Sequence, residues 1–142
     1  MLRAYLTLIL LLTLSFSTWA NDIVVVVNKD NDTASLTKRQ LIDIYMGRYQ
    51  TFPNGQKANP VDMPAQSQLK HAFYMQLVNQ SESKISAYWA KLLFSGRAKP
   101  PEVAEDVQEV LQKLQDSSDA MAYIPASELT DEIKVVYRLN EN

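Results

Sequence analysis

Hydrophobic and polar positions change period several times along the chain, and each change predicts an element. Ile23-Val24-Val25-Val26-Val27, between Asp22 and Asn28, is an unbroken β-branched run. Such a run hides both of its faces, as a central strand of a mostly parallel sheet does. Lys29 to Thr33 is a polar loop. Thr37 then caps a helix, with Gln40 three residues on to close a capping box and Leu36 and Leu41 placed for a hydrophobic staple. Leu41, Ile44 and Tyr45 share one face of this helix, and Gly47 ends it. Phe52-Pro53-Asn54-Gly55 is a tight turn. Asn59 to Met63 predicts a short strand that the neighbouring prolines confine to an edge or an end.

Ser67 opens a second helix, with Leu69, Ala72, Phe73 and Leu77 on one face. Ser81 caps a third, in which Ile85, Tyr88, Trp89, Leu92 and Leu93 repeat at helical spacing before Gly96. Pro100-Pro101 precede a fourth, with Glu102, Glu105 and Asp106 expected in its first turn and Val103, Val107, Val110, Leu111 and Leu114 as its apolar stripe. Asp116 to Asp119 is a turn, Ala120 to Ile124 a short strand stopped by Pro125. At the end, Ile133, Val135, Tyr137 and Leu139 alternate with Lys134, Val136 and Arg138, the signature of a half-buried strand. About four strands and about four helices, with no repeat or linker, predict one α/β domain.

The first twenty residues stand apart. Arg3 precedes an apolar run from Leu6 to Leu14, and Thr18 and Ala20 are small. This order predicts an export signal at 1–20, cleaved after Ala20, with the domain at 21–142. The run is too short for the roughly 20 residues that span a bilayer.

Composition narrows the chemistry. With 142 residues, 46% hydrophobic and 21% charged, the chain is ordinary globular material. It has no cysteine and one histidine, His71, which excludes disulfides, thiolate metal sites, cysteine nucleophiles and His-rich metal centres. No cofactor or metal site is expected. His71 lies four residues after Ser67, but nothing in the sequence supplies an oxyanion hole, an orienting acid or a nucleophile elbow, so no catalytic residues are assigned and the chain is read as a non-enzyme. Residues 38–99 hold nine Lys or Arg against three acids, whereas 100–142 hold three against ten. The halves attract one another or leave a basic face for an anion. No basic run interleaved with aromatics points to nucleic acid.

The start of the Ser67 helix is the place where chemistry is expected. It follows a strand and the loop Met63-Pro64-Ala65-Gln66, so its first N–H groups carry a partial positive charge. Lys70, in the first turn, opposes the helix dipole, and a bound anion relieves that conflict. The candidate ligand-binding residues are Ser67, Gln68, Leu69 and Lys70. The alternative is a plain serine cap with Lys70 and His71 turned to water.

Several stretches resemble a known family. Leu41-Ile42-Asp43-Ile44-Tyr45-Met46-Gly47-Arg48 is similar to the IFLGK segment of periplasmic phosphate-binding proteins of ABC transporters. The Phe52-to-Gly55 turn, Ser86 to Gly96 and Lys99-Pro100-Pro101 resemble short exported relatives of those receptors, the last two their YWSKLIFTGKGKPP stretch. Ala120 to Ile124 resembles their GAIGYV strand, and the likeness runs over roughly 23–139. It implies a single lobe of a type 2 periplasmic-binding-protein-like fold, a mixed sheet of about four strands flanked by about four helices, since a complete two-lobed receptor needs about twice this length. It further implies a periplasmic, non-enzymatic binding protein for inorganic phosphate or a similar small oxyanion. The other function open to the same fold is ligand-independent docking to a membrane sensor or transporter subunit. In the phosphate receptors a Ser-Gly-Thr at a helix start, followed by a Phe and preceded by an Arg, contacts the anion. Here Ser67 matches the serine and Phe73 the phenylalanine, Gln68 and Leu69 replace the glycine and threonine, and Met63 stands near the arginine position.

Overall fold

Five strands form one mixed sheet in the computed structural model, which describes residues 22–140. The export signal expected at 1–20 lies outside the described residues. In chain order the elements are β1 (Ile23–Asn28), α1 (Lys38–Tyr45), β2 (Asn59–Asp62), α2 (Gln68–Val78), α3 (Glu82–Phe94), β3 (Glu102–Val103), α4 (Val107–Asp116), β4 (Ala120–Pro125) and β5 (Ile133–Arg138), with a short 3-10 turn at Ala126–Glu128. The sheet order is β3-β2-β4-β1-β5. Among the described residues no helix is long and apolar enough to cross a membrane.

The β-branched run is indeed a central strand, with Ile23 to Val27 all buried. Its neighbours are not parallel, however: β1 runs antiparallel to both β4 and β5. Continuous burial reports cover on both faces and carries no information about strand direction, so this part of the expectation fails. The parallel pairs lie on the other side, β2 with β4 and β2 with β3. β2 is therefore inside the sheet, not at its edge. Pro60 is tolerated because it pairs only on the β4 side, opposite Met121, while β3 begins opposite Val61.

Helix starts follow local chemistry closely. Thr37 caps α1, and the reciprocal Gln40 bond to the Thr37 N–H completes the capping box. Leu36 and Leu41 are both buried, as a staple requires. Ser67 and Ser81 cap α2 and α3. Gly47 ends α1 at φ +74, where a Cβ would also stand 2.6 Å from the Trp89 ring. Tyr88 of α3 donates to the Met46 carbonyl at 2.6 Å and so satisfies the end of α1 from outside.

Three expectations need correction. The acidic first turn after Pro100-Pro101 is not helical: Glu102 and Val103 form β3, Asp106 is the N-cap of α4, and Val103 leaves the apolar stripe to stand 52% exposed. Asp106 accepts from the Glu109 N–H, and a side chain that makes this bond belongs at the cap, not within the first turn. The stripe of α3 stops at Trp89 and Leu92, because Leu93 and Phe94 are 58% and 96% exposed. In β5, Val25 faces Tyr137 and Val26 faces Val135, so Val136 is an extra residue, a β-bulge. The bulge turns Val136 inward with Ile133 and Leu139, and leaves Val135 and Tyr137 only half-buried.

The core that carries the sheet includes an aromatic cluster over β4. Phe73 of α2 stacks on Tyr123 at 3.8 Å, and Tyr45 of α1 meets Phe73 edge-on at 4.8 Å. The Tyr45 hydroxyl donates to the Val61 carbonyl of β2 at 2.9 Å. These contacts fix α1 and α2 relative to the carboxyl ends of β2 and β4, where α2 begins.

Candidate functional site

β2 ends at Asp62, and five residues, Met63 to the N-cap Ser67, turn the chain into α2. The turn closes with the Ser67 N–H donating to Pro64 O at 3.2 Å, and Gln66 adopts φ +68, a conformation that costs a non-glycine residue free energy. The Ser67 hydroxyl accepts from the Lys70 N–H at 3.3 Å. Gln68 and Leu69 follow as the first two helical residues, whose N–H groups have no acceptor within the helix. The structure thus gathers Ser67, Gln68, Leu69 and Lys70 at one helix start, beyond the carboxyl end of a parallel strand, where open α/β sheets hold their ligands. His71 is exposed, and its N–H closes the first backbone turn to Ser67 O.

The side chain of Lys70 does not turn to water. Its Nζ lies 3.6 Å from Asp62 Oδ2, with the lysine 13% and the aspartate 6% exposed. The conflict between Lys70 and the helix dipole is met by a carboxylate of the protein itself. A second acid stands nearby, for Glu82 at the start of α3 accepts from the Gln66 N–H at 2.8 Å.

Asp62 is the hub that the sequence did not single out. Its Oδ1 accepts from the Met63 N–H at 2.8 Å and from the Tyr123 hydroxyl, and Oδ2 accepts from the Tyr74 hydroxyl at 2.8 Å. Burial pushes the Tyr45, Tyr74 and Tyr123 phenols above their ordinary range, and the negative charge of Asp62 adds to the effect. They remain neutral donors at any physiological pH. Both carboxylate oxygens of Asp62 are thus committed to donors of the protein itself. The available signal was a lone acid directly after Pro60-Val61 at the end of the short β2, with a tyrosine, Tyr123, inside the β4 run. Phe73 and Met63 are both buried.

Two cavities lie elsewhere. One of about 260 Å³ sits between α1 and the Phe52–Gly55 turn. The other, about 620 Å³, opens at the amino end of β2, where Asn59 and Pro60 meet the Ala98–Glu102 segment. Ile44 and Tyr49 line both, and none of Ser67 to Lys70 lines either. The described residues hold no cluster of three or more His, Asp or Glu side chains able to hold a metal.

No protein-family model matches the sequence, and no curated protein matches it. Solved structures do match the fold. An ABC-type phosphate transport receptor from Vibrio cholerae is similar with a TM-score of 0.65 at 18% identity, over 81% of this chain and 45% of the receptor. PstS from Borrelia burgdorferi is similar with a TM-score of 0.63 at 12% identity, over 81% of this chain and 46% of that one. The chain spans less than half the length of these proteins, and its mixed sheet and four helices have the fold of a single lobe of a periplasmic-binding-protein-like structure.

Proposed function

We propose that the chain is an exported, non-enzymatic binding module that recognises phosphate or another small oxyanion at the start of α2, in the periplasm and in connection with an ABC transporter. The observation that carries this reading is the placement of a serine-capped helix N-terminus beyond the carboxyl end of β2, in a fold shared with half of a phosphate receptor. An oxyanion there accepts the N–H groups of Gln68 and Leu69 and a hydrogen bond from the Ser67 hydroxyl. Lys70 supplies charge, shared with Asp62. One lobe covers the ligand on one side only, so water screens these bonds more than in a closed cleft.

Calorimetry with phosphate, sulfate and small carboxylates tests the reading. Ser67→Ala weakens phosphate binding by roughly tenfold, the worth of one charge-assisted hydrogen bond. Lys70→Ala weakens it and flattens its salt dependence. If both variants bind phosphate as the unaltered chain does, the site is elsewhere. The intact mass of the exported protein places Asn21 first if the signal is cleaved after Ala20.

A second reading is favoured by one observation. Phe94 is 96% exposed and Leu93 58%, side by side at the end of α3. Exposed large apolar side chains of this kind mark contact surfaces. In that reading the fold serves ligand-independent docking to a membrane sensor or transporter subunit. Absence of anion binding at millimolar concentration, with a folded chain, selects it.

A further inference from the structure

We infer that the groove at the amino end of β2 is a second binding site, for an organic anion with two negative groups on an apolar body. Its volume of about 620 Å³ falls in the range of sites for organic ligands, roughly 300 to 1,000 Å³, and far exceeds what one inorganic oxyanion fills. The floor is rigid and close. Gly47 lies there with Ala98, and the Trp89 ring beneath leaves no room for even a Cβ on Gly47. Pro100 and Pro101 form a wall whose backbone is already restricted, so little freedom is lost when a ligand settles against it.

The charge of the groove specifies the ligand. Lys57 and Lys99 both line it, and neither takes part in an ion pair among the described residues. The one acid that lines it, Glu102, is held by Lys113 from α4. Two uncommitted cations on one concave surface call for two negative groups. At the rim Tyr49 is 61% exposed, an aromatic face open to an apolar ligand body. The groove meets β2 at Asn59 and Pro60, whereas the α2 site follows Asp62 at the other end of the strand. The two sites therefore share no residue.

The test is an amide chemical-shift titration with terephthalate, alongside benzoate and inorganic phosphate. Terephthalate should shift the amides of Gly47, Tyr49, Lys57 and Ala98 and saturate, with benzoate weaker. Because both lysines are exposed, Lys57→Gln and Lys99→Gln should each weaken terephthalate by roughly two- to fivefold, and the double variant by the product. Melting midpoints of these surface variants should stay at the unaltered value, which separates lost binding from lost structure. The inference is overturned if millimolar terephthalate leaves these amides unmoved, if the double variant binds as the unaltered chain does, or if phosphate shifts the same amides as strongly. Phosphate shifts confined to Gln68 and Leu69 report on the α2 site alone, so the two readings succeed or fail separately.

Discussion

Replacing Asp62 by alanine should be the most damaging single change to the polar interior. The carboxylate is 6% exposed and accepts from Tyr74, Tyr123 and the Met63 N–H, with Lys70 Nζ 3.6 Å away. Its removal strands two phenolic hydroxyls and leaves a largely buried ammonium without a counter-charge. Each stranded donor costs about 1 to 3 kcal/mol, but the sum is not fully realised. The Met63 N–H, which also loses Asp62, keeps the Tyr123 oxygen as an acceptor at 3.1 Å, and water that enters the vacated space can accept from the two phenols. Loss of one partner from a buried ion pair typically costs about 3 to 5 kcal/mol, and Asp62→Ala should fall there. Lys70→Met removes the other partner but leaves Asp62 its three hydrogen bonds, so it should cost only about 1 to 2 kcal/mol. Urea denaturation of both variants at one pH reads the difference, with an unchanged m-value required for the comparison. The reasoning is refuted if Asp62→Ala costs less than about 1 kcal/mol, or if Lys70→Met costs more than Asp62→Ala.

Trp89 is 7% exposed and its indole N–H has no hydrogen-bond partner, so Trp89→Ala should lose packing alone, about 3 to 5 kcal/mol by thermal or urea unfolding. Gly47→Ala meets both a positive φ and the Trp89 ring and should cost about 2 to 4 kcal/mol, whereas Gly55→Ala, at φ +87 with open space around it, should cost about 1 kcal/mol; equal melting points for the two would contradict the contact. Stability should fall as pH rises above about 10, because the unfolded chain ionises its tyrosines there while the folded chain keeps Tyr45, Tyr74 and Tyr123 protonated and so binds more protons. Tyrosinate absorbance should then show these three phenols ionising together with unfolding, not before it.

Local signals were the legible ones. Thr37, Ser67 and Ser81 announce their helices because a cap is a bond between near neighbours, and Gly47 and Gly96 end theirs for the same reason. The two-residue β3 was hidden, since a strand that short has no period to detect and exists only through its pairing with Val61 and Asp62. The inward face of β5 was misassigned because one bulge at Val136 resets an alternation that the sequence writes as continuous. At the candidate site, Ser67 to Lys70 could be read as a helix start, but the partner of Lys70 could not. Asp62 lies eight residues earlier, and Tyr123 comes from the far end of the chain.

β1 sits between β4 and β5, so the first strand of the fold finds both of its neighbours near the last residues of the chain, about a hundred positions later. A chain leaving a ribosome or a translocation pore with its amino end first therefore carries Val24 to Val27 exposed on both sides until Ala120 to Arg138 have emerged. No native sheet can close before that moment. Such an arrangement delays closure of the sheet until Ala120 to Arg138 are available to pair, and it makes truncation before them hazardous. A product that stops before Ala120 keeps a bare β-branched strand with two unpaired edges, a template for association with other copies.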